Sequence, residues 1–357
     1  DKNGRIAAVP SLVAKWPKTT SALQSLDVLV ADDRIVTFTH QNYRDYLIAE
    51  QLVCEAATGG RNPRAWVESG DQALGRRDQL RAILGLLRTQ DEPQYLDLAK
   101  GLLNSSVRFH LKHLVLKFLS QQAGLVVGEL NLGISLLETE QWRDRFIREV
   151  VQTSQVWFGA LDDRGLWEEW LASSRRELVE GALRAIRGNI ESSMARADRL
   201  LKPYLDQGGE WSSRISWILP TNPVIDTDSL FEFRLRHVPD VDYVLMYADK
   251  LAIDHPERCL RMVEVAIRQF VAECRQTARG SKSSPRWRNH QLSPLKGPTE
   301  ACEKIPEIAW ARCLVLNQLL GRELRRIKRR RRQRPGMNPY FLMSTIKQVN
   351  SLVGRLL

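Results

Sequence analysis

The chain is short of nearly everything that would declare a chemistry. Its 357 residues hold five cysteines, Cys54, Cys259, Cys274, Cys302 and Cys313, an odd and scattered set. That argues against a disulfide framework and points to a reducing cytosol, hence a cytoplasmic location. There is no CxxC pair. His255 and Cys259 are the one close pairing of metal-ligand type, and two ligands do not complete a zinc site, so the cysteines read as small buried hydrophobes. Long apolar runs are missing too: the nearest approach, LVVGELNLGISLL, is broken by Glu129 and Asn131, well short of the roughly 18 residues a membrane span requires. The opening DKNGRIAAVPSL lacks the basic and apolar regions of a secretory leader. It also begins with Asp1 rather than Met, which reads as a fragment of something longer. GSKSS imitates a phosphate loop but fails, because Ser281 stands where a glycine must precede Lys282. With no HExxH and no nucleophile elbow, the chain presents no catalytic residue, and no enzymatic activity is expected of it.

What is plentiful is basic charge, and it is local. The net charge is +11, of which residues 325–334, RRIKRRRRQR, contribute eight basic side chains and no acid. Without them the remainder stands near neutrality. Arg325, Arg326, Lys328, Arg329, Arg330, Arg331, Arg332 and Arg334 are therefore the candidate polyanion or nucleic-acid contacts, although mutual repulsion favours a frayed basic loop and an acidic protein surface is a further partner class. No aromatics are interleaved, which argues against base stacking.

Most of the chain has helical periodicity. Leu80, Ile83, Leu84 and Leu87 share a face, as do Val107, Leu111, Leu114, Val115 and Phe118. Further stripes are Leu178, Ala182, Leu183, Ile186 and Ile190; Leu260, Val263, Ile267, Phe270 and Val271; Ile308, Ala311, Val315 and Leu319; and Leu342, Ile346, Val349 and Val353, the last behind an Asn338–Pro339 start. Each such helix needs neighbours to cover its stripe, and the short breaks between them favour antiparallel packing in an α-solenoid of loose HEAT/TPR-like kind or an irregular bundle. Trp157, Trp167 and Trp170 read as core between helices, with a ligand or peptide groove as the alternative, and Trp142, Trp211, Trp217 and Trp310 read as core in the same way. His110 and His113 read as a solvated helix edge. Residues 275–300, rich in Ser, Pro, Gly and Arg, read as a flexible basic loop.

The start of the chain differs in kind. TTSALQSL suggests a short helix capped by Thr20 or Ser21, and DVLVADDRIVTF suggests two strands around an Asp32–Asp33 turn. Helix, hairpin and helix form the back end of a winged-helix domain, or a hairpin packed on helices. The segment VTFTHQNYRDYLIA, residues 36–49, resembles the F-x-H-x-x-[FY]-x-[DE]-[YF]-x-x-A segment of STAND NTPases, and is most similar to their NACHT branch of bacterial antiviral proteins and NOD-like receptors. Phe38, His40, Tyr43, Asp45, Tyr46 and Ala49 match in register, and Thr39 departs from the usual large apolar residue. On helical phase, Tyr43, Tyr46, Leu47 and Cys54 are expected to share the buried face, with Arg44, Asp45 and Glu50 outside.

The resemblance implies a mainly α chain: residues 1–58 end a winged-helix domain, 59–274 form a helical repeat array, 275–300 a loop, and 301–357 C-terminal helices that include the basic run. It implies that His40 contacts the phosphate of ADP, against a structural histidine capping the corner. ADP or ATP with Mg would be held only with an upstream NTPase domain, and no cofactor is expected in this fragment. Family members stay closed on ADP until a trigger, such as a phage protein, docks on the helical array. They then oligomerise and fire an effector domain in defence signalling. The expected partners are accordingly a protein trigger, the upstream NTPase and effector domains, and further copies. The alternative is a helical scaffold that binds nucleic acid or another polyanion through 325–334 and the loop.

Overall fold

In a computed structural model of the chain, residues 7–8, 10–31, 34–69, 72, 74–220, 222–237, 250–277, 301 and 303–331 are described. They are mainly α-helical, with one small antiparallel sheet near the N-terminus. Contacts divide the chain into two compact units, Asp1–Asn189 and Ile190–Leu357. No helix among the described residues is long and apolar enough to cross a membrane.

The first unit opens with β1 (Ala7–Ala8), α1 (Pro10–Val13), α2 (Pro17–Ser25), β2 (Leu29–Ala31) and β3 (Val36–Phe38). Helix α2 begins at Pro17, ahead of the expected caps. Proline suits a first helical position because its φ is preset and no helical partner for its N–H is lost. Thr20 spends its hydroxyl on the Trp16 carbonyl, 2.9 Å away, instead of capping. The hairpin forms as expected, with Leu29 opposite Phe38 and Ala31 opposite Val36; the Asp32–Asp33 turn lies outside the described residues. A strand the sequence pattern did not suggest, β1, pairs with the other edge of β3, giving the order β1-β3-β2.

Helices then follow one another closely: α3 (Gln41–Ala57), α4 (Pro63–Ser69), α5 (Leu74–Gln90), α6 (Glu92–Asn104), α7 (Phe109–Ser120), α8 (Val127–Glu138), α9 (Glu140–Glu149), α10 (Gln155–Asp162), α11 (Leu166–Leu171) and α12 (Arg176–Asn189). Helix α6 starts where Asp91 accepts the Gln94 N–H at 3.0 Å, satisfying a donor the first turn leaves open. Leu80, Ile83, Leu84 and Leu87 of α5 are fully buried, as are Leu111 and Leu114 of α7. In α12 the buried face is Val179, Ala182, Leu183 and Ile186, so Leu178 stands at its edge, half-buried. Trp157 and Trp167 are completely buried and Trp170 nearly so, and each of the first two has its indole N–H on a backbone carbonyl, Leu119 at 2.7 Å and Phe158 at 3.0 Å. They are core. The Trp157 ring lies so close to α8 that a Cβ on Gly133 would approach it to 2.3 Å, so only glycine fits there.

Glu129 ties α5, α6 and α8 together. Although it interrupts an apolar run, it is fully buried. Its carboxylate accepts from Arg88 Nε at 2.7 Å and Nη2 at 3.0 Å, from the Tyr95 hydroxyl at 2.7 Å and from the Val126 N–H at 3.0 Å. A buried carboxylate is tolerable only with such a set of donors. Burial, then the adjacent Glu129 carboxylate, push the Tyr95 pKa far up, so it remains a protonated donor. His110 and His113 are half-buried rather than solvated; His113 Nδ1 lies 3.4 Å from Glu149.

The second unit contains α13 (Met194–Leu201), α14 (Gly209–Ile218), α15 (Asp228–His237), α16 (Pro256–Thr277) and α17 (Pro306–Arg331). Its core includes Leu200, Ile215, Leu230, Phe231, Phe233, Leu251, Cys259 and Met262. Arg234 is buried and clasps Asp226 at 2.7 and 3.1 Å while donating to the Pro220 carbonyl at 2.8 Å. Burial raises the Asp226 pKa and the guanidinium pulls it back. Three expectations change here. Helix α16 runs through Thr277, so the first residues of the expected 275–300 loop are helical; 278–300 lie outside the described residues, as does the helix expected over 338–357. Ile308, Ala311 and Val315 were expected to be core but are exposed, because α17 turns a different side inward, with Ala309 fully buried. Trp217 is also largely exposed, not core, while Trp211 stacks on Tyr204 with ring centroids 4.0 Å apart.

Candidate functional site

Two places carry the residues singled out by the sequence. The first is the corner between β3 and α3. Strand β3 ends at Phe38, and the Thr39 N–H donates to the Val28 carbonyl at 3.0 Å, pinning the corner to the start of β2. His40 follows with extended backbone (φ −127°, ψ 138°) as the N-cap of α3, and its carbonyl accepts the Tyr43 N–H at 3.2 Å. Its imidazole makes no capping bond to the helix. The side chain is exposed and its ring lies 5.9 Å from that of Tyr43, tilted by 55°. The backbone thus performs the turn, leaving the imidazole available as donor or acceptor to something outside the corner.

The expected burial of α3 is reversed except at Glu50, which is exposed as expected. Tyr43, Tyr46, Leu47 and Cys54 are exposed, whereas Asp45, Ala49, Leu52 and Val53 face inward, with α3 packed along α5. The reason is the donor set that meets Asp45: its neighbour Arg44 on the same helix and the Gln79 amide from α5. Asp45 Oδ1 accepts from Gln79 Nε2 of α5 at 3.0 Å and from Arg44 Nη2 and Nε at 2.9 and 3.2 Å. With Arg44 and Gln79 both on Oδ1, and Oδ2 buried with no partner among the described residues, the aspartate goes inside against α5, and the tyrosines stay outside. Phe38, His40, Tyr43, Asp45, Tyr46 and Ala49 therefore divide into Phe38, half-buried at the end of β3, a buried pair, Asp45 and Ala49, that docks α3, and an outward trio, His40, Tyr43 and Tyr46. Both stripes of α3 contain apolar residues, so periodicity could not choose between them. The missed signal was Gln79, whose amide matters only once α3 and α5 are adjacent.

The second place is the end of α17. The basic run is not a loop as far as Arg331: Arg325, Arg326, Lys328, Arg329, Arg330 and Arg331 continue the helix. Arg332 and Arg334 lie outside the described residues. Arg325, Arg326 and Arg329 are exposed, together with Arg322 just before them. The start of the 26-residue helix is held by Arg312, which bridges Glu264 at 3.0 Å and Glu257 at 3.4 Å on α16.

As for cofactors, among the described residues no group of three or more His, Cys, Asp or Glu side chains could hold a metal ion. Cys259 is buried and its N–H bonds to the His255 carbonyl at 3.0 Å, an ordinary helix bond. The chain matches no protein-family model, no curated protein and no solved structure. The functional reading therefore rests on the residues and their geometry.

Proposed function

We propose that this chain is the C-terminal regulatory and sensor region of a STAND NTPase of the NACHT type, with His40 as the residue that senses the nucleotide phosphate. One observation carries the reading. An outward imidazole, free of capping duty, stands directly behind the return strand of a β-hairpin and at the head of the exit helix, in register with Phe38, Asp45 and Ala49. The order β1-β3-β2, with two helices between the first strand and the hairpin, is the arrangement a winged-helix domain has, and supports placing residues 1–58 at the end of one. A donor N–H on a phosphate oxygen is strengthened by the anion's charge, so a single histidine can bias a closed state that retains ADP.

The finer architecture belongs to the same proposal. In the first unit, helices pack chiefly on their first and second neighbours: α5 on α6 and α7, α6 on α7 and α8, α8 on α9 and α10, α10 on α11 and α12. That nearest-neighbour pattern favours a solenoid over a bundle closed around one core. Such an array provides the surface on which a protein trigger, a phage protein among them, docks. Population shift then requires the trigger to bind the open, ATP-ready, oligomerising state better than the closed one.

The decisive test is genetic and biochemical. The source gene upstream of Asp1 is expected to encode GxxxxGK[ST] behind a strand. The purified full product is expected to release about one ADP per chain on denaturation, and the His40→Ala form much less. A full product that lacks that loop, or that keeps its ADP equally well in the His40→Ala form, refutes the assignment.

A further inference from the structure

The arginines of the second unit fall into two groups. Arg214 meets Glu210 at 2.7 Å, Arg236 meets Asp206 at 2.6 Å, Arg258 meets Asp228 at 2.5 Å, and Arg268 and Arg312 share Glu264. This part of the surface neutralises its own charge. Beyond Arg312 the pattern stops: Arg322, Arg325 and Arg329 have no carboxylate partner among the described residues. Exposed, unneutralised guanidinium groups at close spacing repel one another and persist best where a polyanion is met.

Helix geometry makes them one surface. At 3.6 residues per turn, Arg322, Arg325, Arg326 and Arg329 fall within an arc of about 100° and span roughly two turns along the axis. All four are exposed. A row of planar forks on a rigid rod suits phosphate oxygens, each of which a guanidinium can grip with two N–H groups. Among the described side chains from Gln318 to Arg329, the exposed ones are Gln318 and the four arginines, a polar set that offers no apolar side to a lipid surface. Unstacked bases would equally want aromatic platforms.

We propose that this face of α17 binds the phosphate backbone of double-stranded nucleic acid without reading its sequence. A helix about 10–12 Å across fits along or into a groove of about 12 Å, and affinity comes from counterions released as each arginine replaces them at a phosphate. The inference is independent of His40 and of any nucleotide switch; it would stand if that assignment fell.

Fluorescence anisotropy of the full 357-residue chain with a labelled 25-base-pair random-sequence duplex tests it. Each phosphate contact contributes about −0.9 to the slope of log K against log salt. Four contacts predict a slope of −3 to −4 or steeper, so affinity should fall about 100-fold between 50 and 200 mM KCl. The triple variant R322Q/R325Q/R329Q should lose about two to three units of slope, while R322K/R325K/R329K should keep most of it. The lysine form guards against loss through misfolding. Absence of binding at 50 mM KCl, an unchanged slope in the glutamine variant, or equal competition by poly-glutamate or by phosphatidylserine vesicles would each overturn the proposal.

Discussion

Glu129→Ala should be among the most damaging single changes in the first unit. The carboxylate has four donors around it, two from Arg88, one from Tyr95 and one from the Val126 N–H. Truncation leaves the Tyr95 hydroxyl with no acceptor in a fully buried place, and an orphaned buried polar group costs about 1–3 kcal/mol. Arg88 loses its counter-charge, and breaking a buried pair from one side costs about 3–5 kcal/mol. The two figures overlap, and Arg88 retains the Gly124 carbonyl at 2.6 Å and is one-fifth exposed. The sum should therefore lie near the lower end, at about 3 kcal/mol. Because the chain has two units, global unfolding need not be two-state, and hydrogen exchange in peptides of α6 and α8 is the cleaner assay. At about 1.4 kcal/mol per tenfold, protection there should drop on the order of 100-fold. Glu129→Gln should cost less, since its amide oxygen still accepts two bonds. Replacing the three side chains by R88M/Y95F/E129L should recover most of the loss, because it leaves only the Val126 N–H without its acceptor and no charge or hydroxyl unmet. A loss below tenfold in Glu129→Ala, or a triple variant no better than the single, would refute the account.

Two further outcomes follow from the same packing. Asp45→Ala strips the acceptor from Arg44 and Gln79 and should lower exchange protection in α3 and α5 by about 2–3 kcal/mol, whereas Tyr46→Ser on the outer face should change it by less than about 0.5 kcal/mol; the opposite ranking would restore the burial expected from helical phase. Burial and Glu129 raise the Tyr95 pKa above its ordinary value of 10.0. The unfolded chain then loses its tyrosine proton first, so this group's stabilisation is complete below pH 10 and declines as pH rises further, by up to about 1.4 kcal/mol per unit. Denaturant titrations between pH 8 and 11 should show that decline in the wild type and less of it in Tyr95→Phe.

Local chemistry was legible wherever one residue's options were few. The hairpin over 29–38 could be read because alternation demands a half-buried strand, and the helices because their apolar stripes recur at helical period. His40 could be placed at a corner for the same reason: a strand pattern stops and a helix pattern begins around it. The face of α3 could not be read, since Tyr43, Tyr46 and Leu47 make as good a stripe as Ala49, Leu52 and Val53. The same ambiguity misplaced Ile308, Ala311 and Val315.

The sequence by itself determined the helical class, the hairpin, the local nature of the basic charge and the lack of an apolar run of membrane length, because each depends on periodicity, chain length or composition alone. Only tertiary structure decided that Glu129 and Asp45 go inside, that β1 joins the sheet, and that Arg322, Arg325, Arg326 and Arg329 stand on one exposed face of an unbroken helix. Charge burial and charge exposure depend on partners brought from elsewhere in the chain: Arg88 lies 41 positions from Glu129, and Gln79 lies 34 from Asp45. Until those donors arrive, an acidic residue on an apolar face reads as a break; afterwards it is the bond that holds the helices together.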